Sequence, residues 1–319
     1  MLNQEQRGFP LVERPFEALG QRYGIATADV MRYYRTWLSR GVLSRVGGVF
    51  HHAAGGASLL AAMAIPADDL ERAARIVSNH PGVNHNYERE HVYNLWFVMT
   101  GGDKGSVEMA MQQLEAQTGY PALRLPMVRS YRIDLAFDLS GQTADLSPGQ
   151  RAAQTVATVT TQDRPLAALV EGGLPMVECP FVRWAAQLHQ TPEYIRGRLR
   201  QWLDSGVLRR FGNVVRHHEL GFECNAMTVM DLPVERVDKV GMALAQVPEV
   251  TLAYQRARVP GWNYNLYCMV HGRQRSDVEA VIHRFLNTQG LDIEPHAILF
   301  SRRRFKQTGA RRFVDATHC

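Results

Sequence analysis

One stretch occurs twice in this chain, and that duplication limits what the chain can fold into. Residues 37–52 read WLSRGVLSRVGGVFHH and residues 202–218 read WLDSGVLRRFGNVVRHH. Trp37 and Trp202, Gly41 and Gly206, and Gly47 and Gly212 all stand 165 positions apart. The histidine pairs His51-His52 and His217-His218 stand 166 apart, because Arg216 is added in the second copy. A second matching pair, GFPLVERPF at 8–16 and GLPMVECPF at 173–181, keeps the offset of 165. A fixed offset over separate segments points to duplication, so each half must carry the same structural unit.

Each unit begins with helices. Short helical pieces are predicted at residues 2–7 and 165–171. Pro15 and Pro180 suit the first turn of a second helix, where the missing N–H costs nothing. Thr27 and Thr191 read as N-caps of a third. There Val30, Tyr34, Trp37 and Leu38, or Ile195, Leu199, Trp202 and Leu203, recur at helical spacing and place the tryptophans in the core. Gly41 and Gly206 stop these helices as left-handed caps. This is a helix-turn-helix outline, followed by wing-like strands at 42–50 and 207–215.

The remainder of each half reads strand, helix, strand, strand, helix, strand. The strands fall near 58–65, 81–90, 93–100 and 123–137 in the first half. In the second they fall near 225–232, 248–258, 264–271 and 294–305. This βαββαβ order is ferredoxin-like. The expected fold class is therefore α+β, a tandem repeat of winged helix-turn-helix plus ferredoxin-like domain, closing into an internal pseudo-dimer. The expected boundaries are 1–55 and 56–138, a linker at 139–161, then 162–221 and 222–306. Residues 307–319 read as a loose tail with Arg311 and Arg312 exposed.

Composition narrows the function classes. The chain has 319 residues, 45% hydrophobic and 21% charged, as a globular protein does. No apolar run approaches the ~20 residues of a membrane span, and MLNQEQRGFP lacks the layout of a signal peptide. A cytoplasmic protein with no membrane contact is expected. Cys179, Cys224, Cys268 and Cys319 are scattered without a C-x-x-C, which argues against a zinc site or disulfide framework. No nucleotide-binding loop is present. The net charge is +5, carried by arginine beside only three lysines, Lys104, Lys239 and Lys306. Arginine's planar fork suits carboxylates and phosphates alike, so charge leaves a polycarboxylate ligand and a nucleic acid both open.

Helix-turn-helix followed by βαββαβ resembles the Lrp/AsnC regulators. Longer motifs give a closer match. GFPLVERPF, GVLSRVGGVFHH and PGVNHNYEREHVYNLWFV look like the NirD type of sirohaem decarboxylase subunit. GLPMVECPF, GVLRRFGNVVRHHELGFECNAM and GWNYNLYCMVHG look like the NirL type. The chain is thus similar to a fused NirD–NirL sirohaem decarboxylase, related to the two-subunit Ahb enzymes. The resemblance implies a carboxy-lyase that removes CO2 from the acetates at carbons 12 and 18 of sirohaem. The product would be 12,18-didecarboxysirohaem, a precursor of haem d1 in denitrification. It implies no cofactor and no protein-bound metal beyond the iron that arrives with the substrate. As partners it implies subunits of NirG/NirH type or self-association. The competing class is a DNA-binding, haem-responsive regulator, with Arg32 and Arg35, or Arg196, Arg198 and Arg200, on phosphates. Two non-identical halves would read a pseudo-palindrome poorly, which disfavours nucleic acid.

The residues fit the implied chemistry. Sirohaem is a flat apolar ring edged with carboxylates, so its site needs arginines and aromatic faces. Losing CO2 from a pyrrole acetate needs a protonated pyrrole carbon as electron sink and then a proton for the new methyl. Histidine is the natural donor. The candidates are His51, His52, His217, His218 and His85. Against them stands the plain reading of strand-end histidines that satisfy turns. Arg216 and Asn225 flank the second pair as substrate-binding candidates. NHNYEREH at 84–91 aligns with TLAYQRAR at 251–258. Tyr87 and Arg89 match Tyr254 and Arg256, whereas His85 faces Leu252 in the alignment. These residues, with His91 and Arg258, are read as substrate binders, as are Tyr264 and Asn265. The alternative for NHNYEREH is a solvated hairpin whose charges pair with each other.

Overall fold

A computed structural model describes residues 1–133, 156–215, 224–291 and 293–313. Most of the expected linker lies outside the described residues, as do Arg216, His217 and His218.

Each half opens with the expected helical piece. In the first this is a short 3-10 turn, Gln4–Gln6, and in the second it is α5, Arg164–Gly172. The proline-initiated helices follow as α1 (Pro15–Tyr23) and α6 (Pro180–Leu188). The third helices are α2 (Thr27–Ser39) and α7 (Pro192–Asp204). Thr191 caps α7 by accepting from the Tyr194 N–H, 3.2 Å away. Thr27 instead lies inside α2, whose N-cap is Ala26 without a side-chain cap bond. Gly41 and Gly206 adopt φ of 73° and 75°, the left-handed stop read from the sequence.

The strands after these helices depart from the winged expectation. β1 (Leu43–Phe50) and β7 (Leu208–Val215) pair antiparallel with each other across the halves, with Gly47 opposite Gly212. The duplicated glycine therefore sits beside its own copy. A Cβ on Gly47 would strike the Val170 carbonyl, and one on Gly212 would strike Glu5 and Gln6. The first helical piece of each half crosses here too closely for a side chain. One core, including Phe16, Tyr34, Phe181, Trp184, Trp202 and Phe211, spans both helical units.

The ferredoxin-like units follow the expected order. The first has β2 (Ala57–Met63), α3 (Leu70–Asn79), β3 (Val83–Arg89), β4 (Leu95–Gly101), α4 (Lys104–Thr118) and β5 (Ala122–Leu125). The second has β8 (Cys224–Met230), α8 (Val234–Gln246), β9 (Val250–Arg256), β10 (Leu266–Gly272), α9 (Arg275–Gln289) and β11 (His296–Gln307). Among the described residues the strands run β5-β2-β4-β3-β11-β8-β10-β9-β6, where β6 is Met127–Ile133. β11 pairs β8 through Phe300 and then β3 from Ser301. β5 pairs β2, and β6, directly after Pro126, pairs β9. Each half thus sends its last strand into the other's sheet. The sheets face each other over a core of Trp96, Leu125, Met227, Trp262, Tyr267 and Leu299, the internal pseudo-dimer that duplication implies.

The segment after β11 corrects the loose-tail reading. Arg311 is exposed, but Arg312 and Phe313 are buried. Arg312 pairs with the buried carboxylate of Glu171, which a reading by local polarity could not foresee.

Candidate active site

Strand alternation decides which residues of β3 and β9 face the space between the sheets. Asn86 points to the helices, donating to the Ala74 carbonyl and to Ser78 Oγ. Glu88 on that face pairs with Arg303. His85, Tyr87 and Arg89 therefore share the inner face, and on β9 Leu252, Tyr254 and Arg256 do. His85, Tyr87, Leu252 and Tyr254 on this face are only partly buried.

Arg89 and Arg256 are 7% and 9% exposed, and among the described residues neither has a carboxylate partner. Arg89 donates to the Leu299 carbonyl at 3.0 Å and lies 5.6 Å from the Tyr87 ring. Arg256 donates to the Leu125 carbonyl at 2.5 Å and lies 5.2 Å from Tyr254 and 5.7 Å from Tyr267. The two arrangements repeat each other, with Arg89 reaching β11 and Arg256 reaching β5. Arg256 Nε is buried without a partner. A cation out of water and without a counter-ion is costly. Burial lowers Arg256 and brings Arg89 down to about 10. Cation–π contact offsets part of that cost. An anionic ligand would offset the rest.

The halves differ in the third inner-face position. His85, stacked against Tyr87 at 6.4 Å, is held down to about 4 by burial and then by Arg89. Its counterpart Leu252 cannot titrate. Around Arg89, Asn225 accepts from Ser301 Oγ at 2.7 Å, and Ser301 stands opposite Arg89 in register. His271 stands opposite Asn225 and lies 3.1 Å from Thr251 Oγ1 through Nδ1. Sequence reasoning missed His271, although it follows Tyr267 and Met269 at strand spacing. On the other side, Arg256 reaches β5, which borders β2. His51 and His52 precede that strand with ring centroids 4.2 Å apart. His51 Nδ1 accepts from the Ala53 N–H. His51 is lowered to about 4 by burial, then by His52, Arg209 and Arg312.

Other candidates are placed elsewhere. Arg258 is exposed and pairs with Asp231. Asn265 is buried and clamps Leu232, donating to its carbonyl and accepting from its N–H. Asn94 holds Ile65 in the same way, so this duplicated asparagine serves the backbone. His91 and Tyr264 pack around Trp262, at 5.3 and 4.8 Å. The charges of 84–91 do not pair with each other as the hairpin alternative would have them: Glu88 pairs with Arg303 and Glu90 with Arg275, both outside the segment.

The third helices spend their arginines within the protein. Arg35 donates to the Met176 carbonyl and Arg200 to the Leu11 carbonyl. Each third helix thereby holds the GFPLVERPF-type loop of the opposite half. Arg32 pairs with Asp29, Arg196 with Glu193 and Arg198 with Asp163. No helix among the described residues is long and apolar enough to cross a membrane. No cluster among them could hold a metal ion.

Comparison with known proteins decides the family. A model of the siroheme decarboxylase NirDL-like HTH domain matches residues 1–43, and a model of the AsnC-like ligand binding domain matches 53–132 and 219–306. The chain is 38% identical over 311 residues to the siroheme decarboxylase NirDL subunit of Paracoccus denitrificans, covering 97% of this chain and 95% of that one. It belongs to the NirDL family of sirohaem decarboxylases. It is therefore a carboxy-lyase by family. The siroheme decarboxylase of Hydrogenobacter thermophilus is 29% identical, with 97% of this chain and 93% of that one covered. A crystal structure of the siroheme decarboxylase NirDL superposes with a TM-score of 0.70 at 26% identity, covering 98% of this chain and 92% of that one. Another, in co-complex with an iron-uroporphyrin III analogue, gives 0.71 at the same identity and coverage. Separate NirD and NirL subunits match about half of the chain each, as the duplication requires. The NirD subunit of Pseudomonas aeruginosa is 43% identical, covering 44% of this chain and 93% of that one.

Proposed function

We propose that this chain decarboxylates sirohaem in haem d1 biosynthesis, converting the acetates at carbons 12 and 18 to methyl groups. The observation that carries the reading is the pair of buried arginines, Arg89 and Arg256, each against a tyrosine between the sheets and without a carboxylate partner among the described residues. Such groups favour a flat, polyanionic ligand. They grip carboxylates that stay on the ring, because an arginine on the departing one would stabilise the ground state.

Each reaction consumes one proton and one acetate and yields a methyl and CO2. A histidine protonates the pyrrole carbon, and CO2 leaves as the electrons of the carbon–carbon bond move into the ring. The resulting methylene takes up a proton to become the methyl while the ring carbon returns its own proton to the histidine, so that one proton is consumed in all. His85 and His51 are neutral at pH 7 in the ligand-free protein, for burial and adjacent cations hold both near 4. The substrate's carboxylates oppose those cations and raise the histidines towards the range in which they donate. His217 and His218 are the further donors that the duplicated motif proposes. The iron is the substrate's own, and no further cofactor enters. The protein acts in the cytoplasm, and partner subunits of the same family fit a chain whose relatives include separate NirD, NirL and NirH proteins.

Titration with iron-uroporphyrin III, alongside sirohaem turnover, tests this. Arg256→Ala is expected to weaken binding roughly tenfold or more, the scale of a lost charged hydrogen bond, with turnover at saturation little changed. His217→Ala or His218→Ala is expected to slow turnover about tenfold or more and leave binding measurable. Unaltered affinity in the first variant, or full activity in both histidine variants, would remove these assignments.

A further inference from the structure

Residues 308–313 run from the end of β11 past the ends of β3 and β4 to the start of β2. Thr308 N–H donates to the Asn84 carbonyl at 2.7 Å, and Arg311 N–H to Thr100 Oγ1 at 3.3 Å. Thr100 is the first-half counterpart of His271, aligned through YNLW and YNLY. The segment then enters the gap between β2 and the helical unit. A Cβ on Gly56, whose φ is +69°, would lie 2.5 Å from Arg312 Cβ. Arg312 Nη1 donates to the His51 carbonyl at 3.0 Å and Nη2 to the Phe50 carbonyl at 3.3 Å. Phe313 packs on Phe50 with centroids 4.8 Å apart. One carboxylate holds the end of the run. Glu171, 5% exposed, accepts the Arg312 N–H at 2.7 Å and the Phe313 N–H at 3.1 Å and faces the Arg312 guanidinium at 3.5 Å. Its duplicate in the first half is Gln6, which carries no charge.

We propose that residues 308–313 are a strap that closes the space between the sheets at its Thr100 end and sets the His51–His52 pair at its rim, with Glu171 as the latch. The inference rests on the reading that the space between the sheets takes the tetrapyrrole. It makes Arg312 a positioning residue, acting through the backbone of His51. It also makes the two ends of that space differ, because the strap covers Thr100 where the other half has His271. The charged and titratable groups around His51 are His52, Arg209 and Arg312. Releasing the strap takes away one of those cations and part of the cover.

NMR titration of the His51 imidazole in the full, ligand-free chain tests the strap, with His51→Gln assigning the signal. The variants are Glu171→Gln, which copies the Gln6 arrangement, and Glu171→Gln with Arg312→Met, which removes both members of the Glu171–Arg312 pair together. In the parent, His51 is expected to stay neutral down to about pH 4. In both variants its midpoint is expected to rise by roughly one unit or more, towards that of an exposed histidine. An unmoved midpoint in either variant with native near-ultraviolet circular dichroism would overturn the proposal. If the double variant does not fold, the single one decides. Because no ligand is present, this outcome is separate from turnover. An intact strap in a chain without turnover would count against the decarboxylase reading alone.

Discussion

At the scale of single residues, the site is defined by groups that cost stability where they stand. Arg89 and Arg256 are buried without counter-ions among the described residues, and His85 is held neutral between the sheets. His85 makes this testable. Its midpoint is 6.5 ordinarily and about 4 in the fold. Between those values the unfolded chain binds the proton and the folded chain does not, so stability is complete above pH 6.5 and declines as pH falls towards 4. His85→Leu, which installs the residue found at Leu252, is expected to flatten the melting temperature against pH across that window. Some slope will persist, because burial lowers His51, His52, His80 and His91 too. An unaltered slope would show that His85 does not sit desolvated beside Arg89. Much at this scale was legible in sequence. Tyr87, Arg89, Tyr254 and Arg256 stood out as duplicated polar residues on strands, and the alternation that exposes them to one face is a local property. Arg258 and Asn265 were not separable from them by type. Their partners, Asp231 and the Leu232 backbone, are brought by a different strand.

At the scale of elements, the helix-turn-helix has become a clasp. Arg35 and Arg200 stand 165 positions apart, and each holds a loop of the opposite half. The helices were readable from apolar spacing, proline and glycine. Their use was not, since a carbonyl acceptor 189 residues away leaves no local trace. The same limit explains the strands after them, whose pairing across halves was invisible to a pattern that fixes only each strand's own faces. Arg200→Ala is expected to lower stability by about 1 kcal/mol in urea unfolding, as loss of one hydrogen bond does. The parent is expected to leave duplex DNA unshifted at low salt. Salt-sensitive DNA binding that disappears in Arg200→Ala would instead restore the regulator reading.

At the scale of the molecule, duplication supplies both the frame and the difference between its two sides. β11 and the β5–β6 run each serve both sheets, so neither half completes its sheet alone. Within that frame the halves have diverged, with His85 against Leu252, His271 against Thr100 and Glu171 against Gln6. Symmetry was legible from the repeated motifs. The long-range closure of the segment after β11 was not, because Glu171 and Arg312 lie 141 residues apart. On the proposed reading, in which two acetates of one asymmetric ring react, related but unequal halves have a use. Anaerobic incubation of the purified chain with sirohaem, followed by mass spectrometry of the tetrapyrrole, addresses that claim most directly. The account predicts loss of two molecules of CO2 per ring, with the singly decarboxylated species appearing first. Recovery of sirohaem at its original mass, with its absorption spectrum unchanged by the protein, would contradict it.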